Sequence, residues 1–257
     1  AKMLALGTDG LLRLECAALF CAFSDTLFYD GGYFEWDGNG FVRTQARKAR
    51  ELCLLSGGLA RGVLLKTGAE KLILRKGARI SAEDFIGSSV REAEAAFPYS
   101  FENGAAYFYE AGKKRLAAGL PHVETIAVSS DTDYADEGAL SPCSRLREVT
   151  LPFCGNGREK NGETYFGEFG YVFGRDEAGR YAVPETLARV TVTGGFLVSR
   201  AFYLCPYVRE VNACGVPAEH ISPDAFAGMN GLEYLHCPCA DLALDGDFVA
   251  ETLSCGC

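Results

Sequence analysis

Apolar residues recur along this chain at a long, nearly fixed period. When RAFYLCPYVREVNAC from Arg200 is set beside DAFAGMNGLEYLHC from Asp224, six pairs fall 24 residues apart: Ala201/Ala225, Phe202/Phe226, Cys205/Met229, Val208/Leu232, Val211/Leu235 and Ala213/Cys237. GALSPCSRLREVTL from Gly138 keeps the order with Ala139, Leu140, Cys143, Leu146, Val149 and Leu151. RLAAGLPHVETIAV from Arg115 does the same with Leu116, Ala117, Leu120, Val123, Ile126 and Val128. A second part of the unit repeats as well. VTVTGG from Val190, LILRKG from Leu72 and LCLLSG from Leu52 each carry apolar residues at positions one and three and glycine at position six.

This pattern predicts short strands, each followed by a tight turn. Marking each strand by its first apolar residue gives Leu52, Leu72, Ala93, Ile126, Val149, Val190, Val211 and Leu235, with steps of 20, 21, 33, 23, 41, 21 and 24. The two long steps read as insertions, and Ala93 fits the series least well. A single strand of this kind cannot bury its apolar side alone, so successive units have to stack, and a fold of this type needs roughly three or more. Alternation along a strand turns Val149 and Leu151 inward and Thr150 outward. Phe202 and Phe226, on the far side of their coils, are expected to close the core from behind. The expected fold is therefore a solenoid whose stacked strands form one face.

That face is the candidate binding surface. Its outward positions make two columns, Thr125, Glu148, Arg189, Glu210, Tyr234 and Ala127, Thr150, Thr191, Asn212, His236. Stacking would place neighbours in a column about 4.8 Å apart. The eight residues Glu148, Thr150, Arg189, Thr191, Glu210, Asn212, Tyr234 and His236 combine charge, amide, hydroxyl and aromatic groups suited to a protein or glycan partner.

The ends break the period. Residues 1–48 read as an N-terminal cap, in which SDTLFYDGGYFEWDGNGFVRT from Ser24 predicts a β-hairpin or meander; LLRLECAALFCAF before it suits a helix or a buried strand equally. The solenoid is expected over 49–239. The tail at 240–257 reads as a C-terminal cap that leaves the repeat. Within the solenoid, an insertion at 152–185 interleaves Tyr165, Phe166, Phe169, Tyr171 and Phe173 with glycine, either to bind a partner or to pack on the coils.

The phrases AFYLCPYVREV, DAFAGMNGLEYL and LREVTLPF, with GYVFGRDEAGRYAVPETLARVTVTGG and the 20 to 24-residue period, resemble the BspA-like class of bacterial leucine-rich repeats. The resemblance runs from about Leu116 to Cys237, weakens over 52–94 and is absent before about Ala46. It implies a curved leucine-rich-repeat solenoid with a strand-lined face, in a secreted or cell-surface protein of bacteria or some protists that mediates adhesion or protein binding.

Composition narrows the chemistry. A 257-residue chain that is 48% hydrophobic can bury a sizeable core. No apolar run approaches the roughly 18 residues that span a bilayer. The opening AKMLALGTDG lacks the marks of a signal peptide, which leaves a cytoplasmic site open. A net charge of −9 argues against nucleic acid as a partner. The one basic concentration, Arg43, Arg47, Lys48 and Arg50, is spaced as a solvated helix face. Five of six asparagines precede glycine, a mark of tight turns.

The eleven cysteines suggest no disulfide framework: the number is odd, and many sit in apolar stretches where a free thiol behaves as a small hydrophobe. Cys205 shares a column with Cys143, Met229 and Leu120, which asks for an apolar group of medium size. HCPC at 236–239 and CGC at 255–257 carry zinc-ligand residue types, but as C-x-C pairs and not the usual C-x-x-C. The repeat also turns Cys237 inward and His236 outward. Free thiols, a disulfide and zinc therefore stay open for Cys237, Cys239, Cys255 and Cys257. His122, His220 and His236 lie in no catalytic motif, and no phosphate-binding glycine loop is present. No cofactor is expected, and the expected function is a non-enzymatic interaction module. A hydrolase with acids lining a cleft between cap and solenoid, or a zinc-stabilised scaffold, are the alternatives.

Overall fold

In the computed structural model the described residues are 5–6, 12–13, 20–22, 26–29, 32–36, 41–44, 51–54, 57–59, 62, 64–65, 68–160, 165–238, 242 and 252–255; before residue 52, at 53 and 57, and over 252–255 only the backbone is described.

Two large sheets dominate the chain. β1 (Ala5–Leu6) and β2 (Leu12–Arg13) pair with each other. β3 (Phe20–Ala22), β4 (Thr26–Tyr29), β5 (Gly32–Trp36) and β6 (Phe41–Thr44) form an antiparallel meander, so the first half of the cap is strand at Phe20 and the hairpin gains a further strand. Arg43 lies in β6, which removes it from the expected basic helix face; Arg47, Lys48 and Arg50 lie outside the described residues.

β3 then joins β7 (Glu51–Leu54), where the repeat begins. β8 (Gly57–Gly58) follows β7, and β9 (Lys71–Leu74), β10 (Ala78–Arg79) and β11 (Glu92–Ala95) come later in the chain. β7, β9 and β11 are parallel, with Leu52 opposite Leu72 and Leu72 opposite Ala93. Ala93 therefore stands in the marker series after all. β8 and β10 pair beside them. The one-turn helix α1 (Ala82–Phe85) starts at a capping box, Ser81 N–H donating to Asp84 Oδ2 at 2.8 Å, and buries Phe85.

The step of 33 residues contains an antiparallel meander: β12 (Tyr99–Glu102), β13 (Ala105–Glu110) and β14 (Lys113–Gly119). Among the described Asn-Gly pairs, Asn103–Gly104 alone takes the left-handed backbone of a tight hairpin turn, with φ of 51° and 79°. The segment RLAAG, set in the repeat series by Leu116 and Ala117, is thus a meander strand, and both residues are buried.

The second large sheet is a parallel ladder. β15 (Thr125–Ala127) pairs with β17 (Glu148–Leu151), while β16 (Tyr134–Ala135) pairs with β14. β18 (Arg189–Val192), β19 (Glu210–Asn212), β20 (Tyr234–Cys237) and β21 (Thr252–Cys255) continue it. Ile126, Val149, Val190, Val211 and Leu235 share one register and are all buried. The tail, expected to leave the repeat, adds β21 in the same direction, with Leu253 opposite Leu235.

The core confirms the period at residue level, because all six pairs spaced by 24 are buried on both sides. Behind the strands the aromatic rings form a ladder: Phe169 stacks on Phe202 at 5.0 Å, and Phe202 stacks on Phe226 at 5.6 Å. Phe169 belongs to the insertion, in the 3-10 turn Phe169–Phe173, and Phe173 is buried beside it. That part of the insertion supplies the back of the coil that β17 opens.

Candidate functional site

The parallel ladder presents the two predicted columns. Glu148 lies opposite Arg189, Arg189 opposite Glu210 and Glu210 opposite Tyr234; Thr150, Thr191, Asn212 and His236 match in the same way. The alternation of buried and solvent-facing residues in β15 and in β17 to β20 follows from the pleat, since inward residues meet the core and outward ones cannot. Continuous backbone pairing holds these side chains on a stiff surface.

Charge on this face is largely paired across coils. Arg189 binds Glu148, Arg147 meets Glu124 at 3.4 Å, and Arg209 meets Glu233 at 2.8 Å. Exposed pairs of this kind contribute about 0–1 kcal/mol each, so their main effect is to fix side-chain orientation. The Asn212 side-chain carbonyl accepts the Cys214 N–H at 3.0 Å, which fixes its orientation. Tyr234 is 41% exposed. The end of the face built by β19 and β20 therefore combines Glu210, Asn212, Tyr234 and His236.

The cysteines divide by environment. Cys143, Cys154 and Cys205 are buried free thiols and Cys237 is buried as well, and burial pushes Cys143 and Cys205 up to about 12. Cys237 points into the core while His236, its neighbour, points out, so these two cannot converge on one ion. The described residues contain no group of three or more potential ligands placed to hold a metal. Cys239 and Cys257, and the side chain of Cys255, lie outside the described residues. Cys214, which the sequence did not single out, is disulfide-bonded.

Open concavities occur among the described residues. One, of about 420 Å³, is lined by Asp133, Asp136, Asn156, Arg158, Tyr165 and Tyr171 among others. Its acids are engaged: Asp133 Oδ2 accepts the Lys114 N–H at 2.7 Å, and Asp136 pairs with Arg115 at 3.2 Å. Burial raises the Asp136 carboxyl, and Arg115 opposes that shift. Another, of about 560 Å³, opens between β11 and β15. A cleft between cap and solenoid would involve cap side chains outside the described residues.

No protein-family model matches this chain, and no curated protein matches it in sequence. Among solved structures, it is similar to a leucine rich cell surface protein from Faecalibacterium prausnitzii A2-165, at 13% identity and a TM-score of 0.35, covering 71% of this chain and 52% of that one. The chain spans about half the length of that protein. A likeness at this level says nothing about what either protein binds. The pairing pattern itself makes the fold a solenoid of stacked parallel strands, as the repeat in the sequence predicts.

Sequence reasoning missed the lysine that fastens the meander. Lys114, 5% exposed, places Nζ 3.0 Å from Glu102 Oε2, 2.9 Å from Asp131 Oδ1 and 3.0 Å from Ser129 Oγ, and 4.4 Å above the Tyr107 ring. Burial alone would lower its pKa, but the bonds to Asp131 and Glu102 outweigh burial and hold it above the ordinary lysine value. The carboxylates that mark this site are 12 and 17 residues away in sequence, so only the folded meander reveals it. The insertion is divided in the same sense. Phe169 and Phe173 pack inside, whereas Phe166 is 43% exposed and stacks on Tyr171 at 5.5 Å.

Proposed function

We propose that this chain is a non-enzymatic interaction module of a secreted or cell-surface protein, which binds a protein or glycan partner through its strand-lined face. The observation that carries the reading is the in-register stacking of Glu148, Arg189, Glu210 and Tyr234 beside Thr150, Thr191, Asn212 and His236. Rigid columns of mixed chemistry lose little conformational entropy on contact, which favours recognition. Tyr234 is an aromatic anchor of the kind that dominates binding energy, and the paired Arg189 and Glu148 supply a polar rim. The disulfide at Cys214 supports an oxidising compartment, because such bonds persist mainly outside the cytosol.

The test is a binding screen of the chain against arrays of purified glycans and of secreted and cell-surface proteins. Wild type and a Glu210→Ala/Tyr234→Ala/His236→Ala variant are compared side by side. The reading requires hits that the variant loses while its melting temperature stays unchanged. Hits retained in full by the variant would reject this face.

A further inference from the structure

Among the described residues, the two large sheets end on strand edges that border one cleft and pair with no further strand. In a parallel ladder each residue aims its N–H and C=O to the same side, and successive residues alternate. In β15 the side toward β17 is used: Arg147 N–H and Glu148 N–H donate to the Glu124 carbonyl at 2.7 and 3.1 Å, and Val128 N–H donates to the Thr150 carbonyl at 2.9 Å. Thr125 and Ala127 must therefore aim their backbone groups the other way. In β11 the side toward β9 is used, with Glu92 N–H on the Glu70 carbonyl at 3.1 Å and Ala96 N–H on the Leu74 carbonyl at 2.8 Å. Ala93 and Ala95 then aim away from β9.

Both unused edges look into one space. β11 terminates the first large sheet and β15 begins the second, and the cleft of about 560 Å³ between them is lined by Ala93, Thr125 and Ala127. Phe101 and Val123 supply an apolar wall, and Val123 packs against the cores of both halves. His122 lies on the rim with its Nδ1 3.0 Å from the Val90 carbonyl. Exposed edges are usually blunted by lysine, proline or a bulge. Along the cleft the edge residues are instead alanine, threonine and alanine, whose short side chains leave the backbone within reach.

We propose that this cleft is a strand-addition site for an extended peptide segment of a partner protein. The partner's backbone pairs with Thr125 and Ala127, and alternate side chains rest on Phe101 and Val123. A row of alternating donors and acceptors spaced two residues apart is matched by another strand and poorly by a glycan, which fixes the class of occupant. This goes beyond the proposed function: it uses the end of β15 and the gap before it, separate from the residues of β19 and β20.

Peptides selected from a phage-displayed random library on the immobilised full chain provide the probe. Their affinities are measured for wild type, Thr125→Pro, Ala127→Pro and Glu210→Ala/Tyr234→Ala. Proline removes an N–H that no bond in the described fold uses, and edge strands accept it. We expect at least about 10-fold weaker binding to either proline variant, the loss of a backbone hydrogen bond to a desolvated partner, with no change for the face variant. Amide exchange on the wild-type chain decides the matter even if a proline variant misfolds. Thr125 and Ala127 should exchange fast when free and slow with peptide bound. Slow exchange in the free chain, no selected binder, equal binding to the proline variants, or a self-dimer that Ala127→Pro dissolves would each overturn the proposal.

Discussion

Phe202→Ala probes the register of the whole solenoid. The ring is fully buried, 5.0 Å from Phe169 on one side and 5.6 Å from Phe226 on the other. Its removal leaves a phenyl-sized cavity in the middle of a ladder that neither neighbour can slide to fill, because each is fixed by its own coil. Aromatic truncation in such a site costs about 3–5 kcal/mol, and the two ring contacts, at about 0.5–1.5 kcal/mol each, form part of that sum. Cys205→Ala, three residues on and equally buried, removes one sulfur and should cost about 1 kcal/mol, close to the value of one buried methylene. Urea unfolding followed by circular dichroism measures both through the linear extrapolation. In a solenoid each coil is held mainly by its neighbours, so amide exchange should show Val211 and Leu235 losing protection before Leu72. A cost below about 1 kcal/mol for Phe202→Ala, or one for Cys205→Ala that matches it, would refute the assignment of the ladder as the back wall.

Other outcomes follow from the same geometry. Thiol labelling at pH 8 should leave Cys143 and Cys205 unmodified in the native chain and modify both in denaturant, since burial holds them near 12; rapid native labelling of Cys205 would contradict its inward column. Lys114→Met should destabilise by about 1.5–3 kcal/mol, the worth of a hydrogen bond to a charged group, because Glu102 and Asp131 are exposed enough to regain water. The Ser129 hydroxyl and then Lys114 hold the Asp131 carboxyl below its ordinary value of 3.8. Its contribution is therefore complete above that value and lost as pH falls through the lowered one; Asp131→Asn should flatten acid unfolding in that window, as followed by circular dichroism. Gly119→Val should prevent folding of the meander onto the second core, since even a Cβ there would meet Cys143 Sγ and Leu140 Cδ2 within 3.0 Å; a soluble variant with an unchanged melting temperature would contradict that packing.

The repeat itself was legible in the chain because a stacked coil imposes the same burial on the same position each time. Val211 and Leu235 announce each other across 24 residues, and the outward columns follow from the pleat once the inward positions are known. Asn103 and Gly104 also declared their turn, for only such residues take that backbone without strain. The period stayed silent wherever a contact is not repeated. The 33-residue step marked an interruption, yet its antiparallel form depends on strands that pair with one another and not with the coils. The partners of Lys114, the disulfide state of Cys214 and the place of Leu253 in the ladder likewise arise from single juxtapositions. The amino-acid sequence by itself determined the coil, its inward residues and the face they leave outward. Only the tertiary structure decided where the ladder breaks, because an unpaired edge is made by which strand is missing beside it, and that absence leaves no mark in the local pattern.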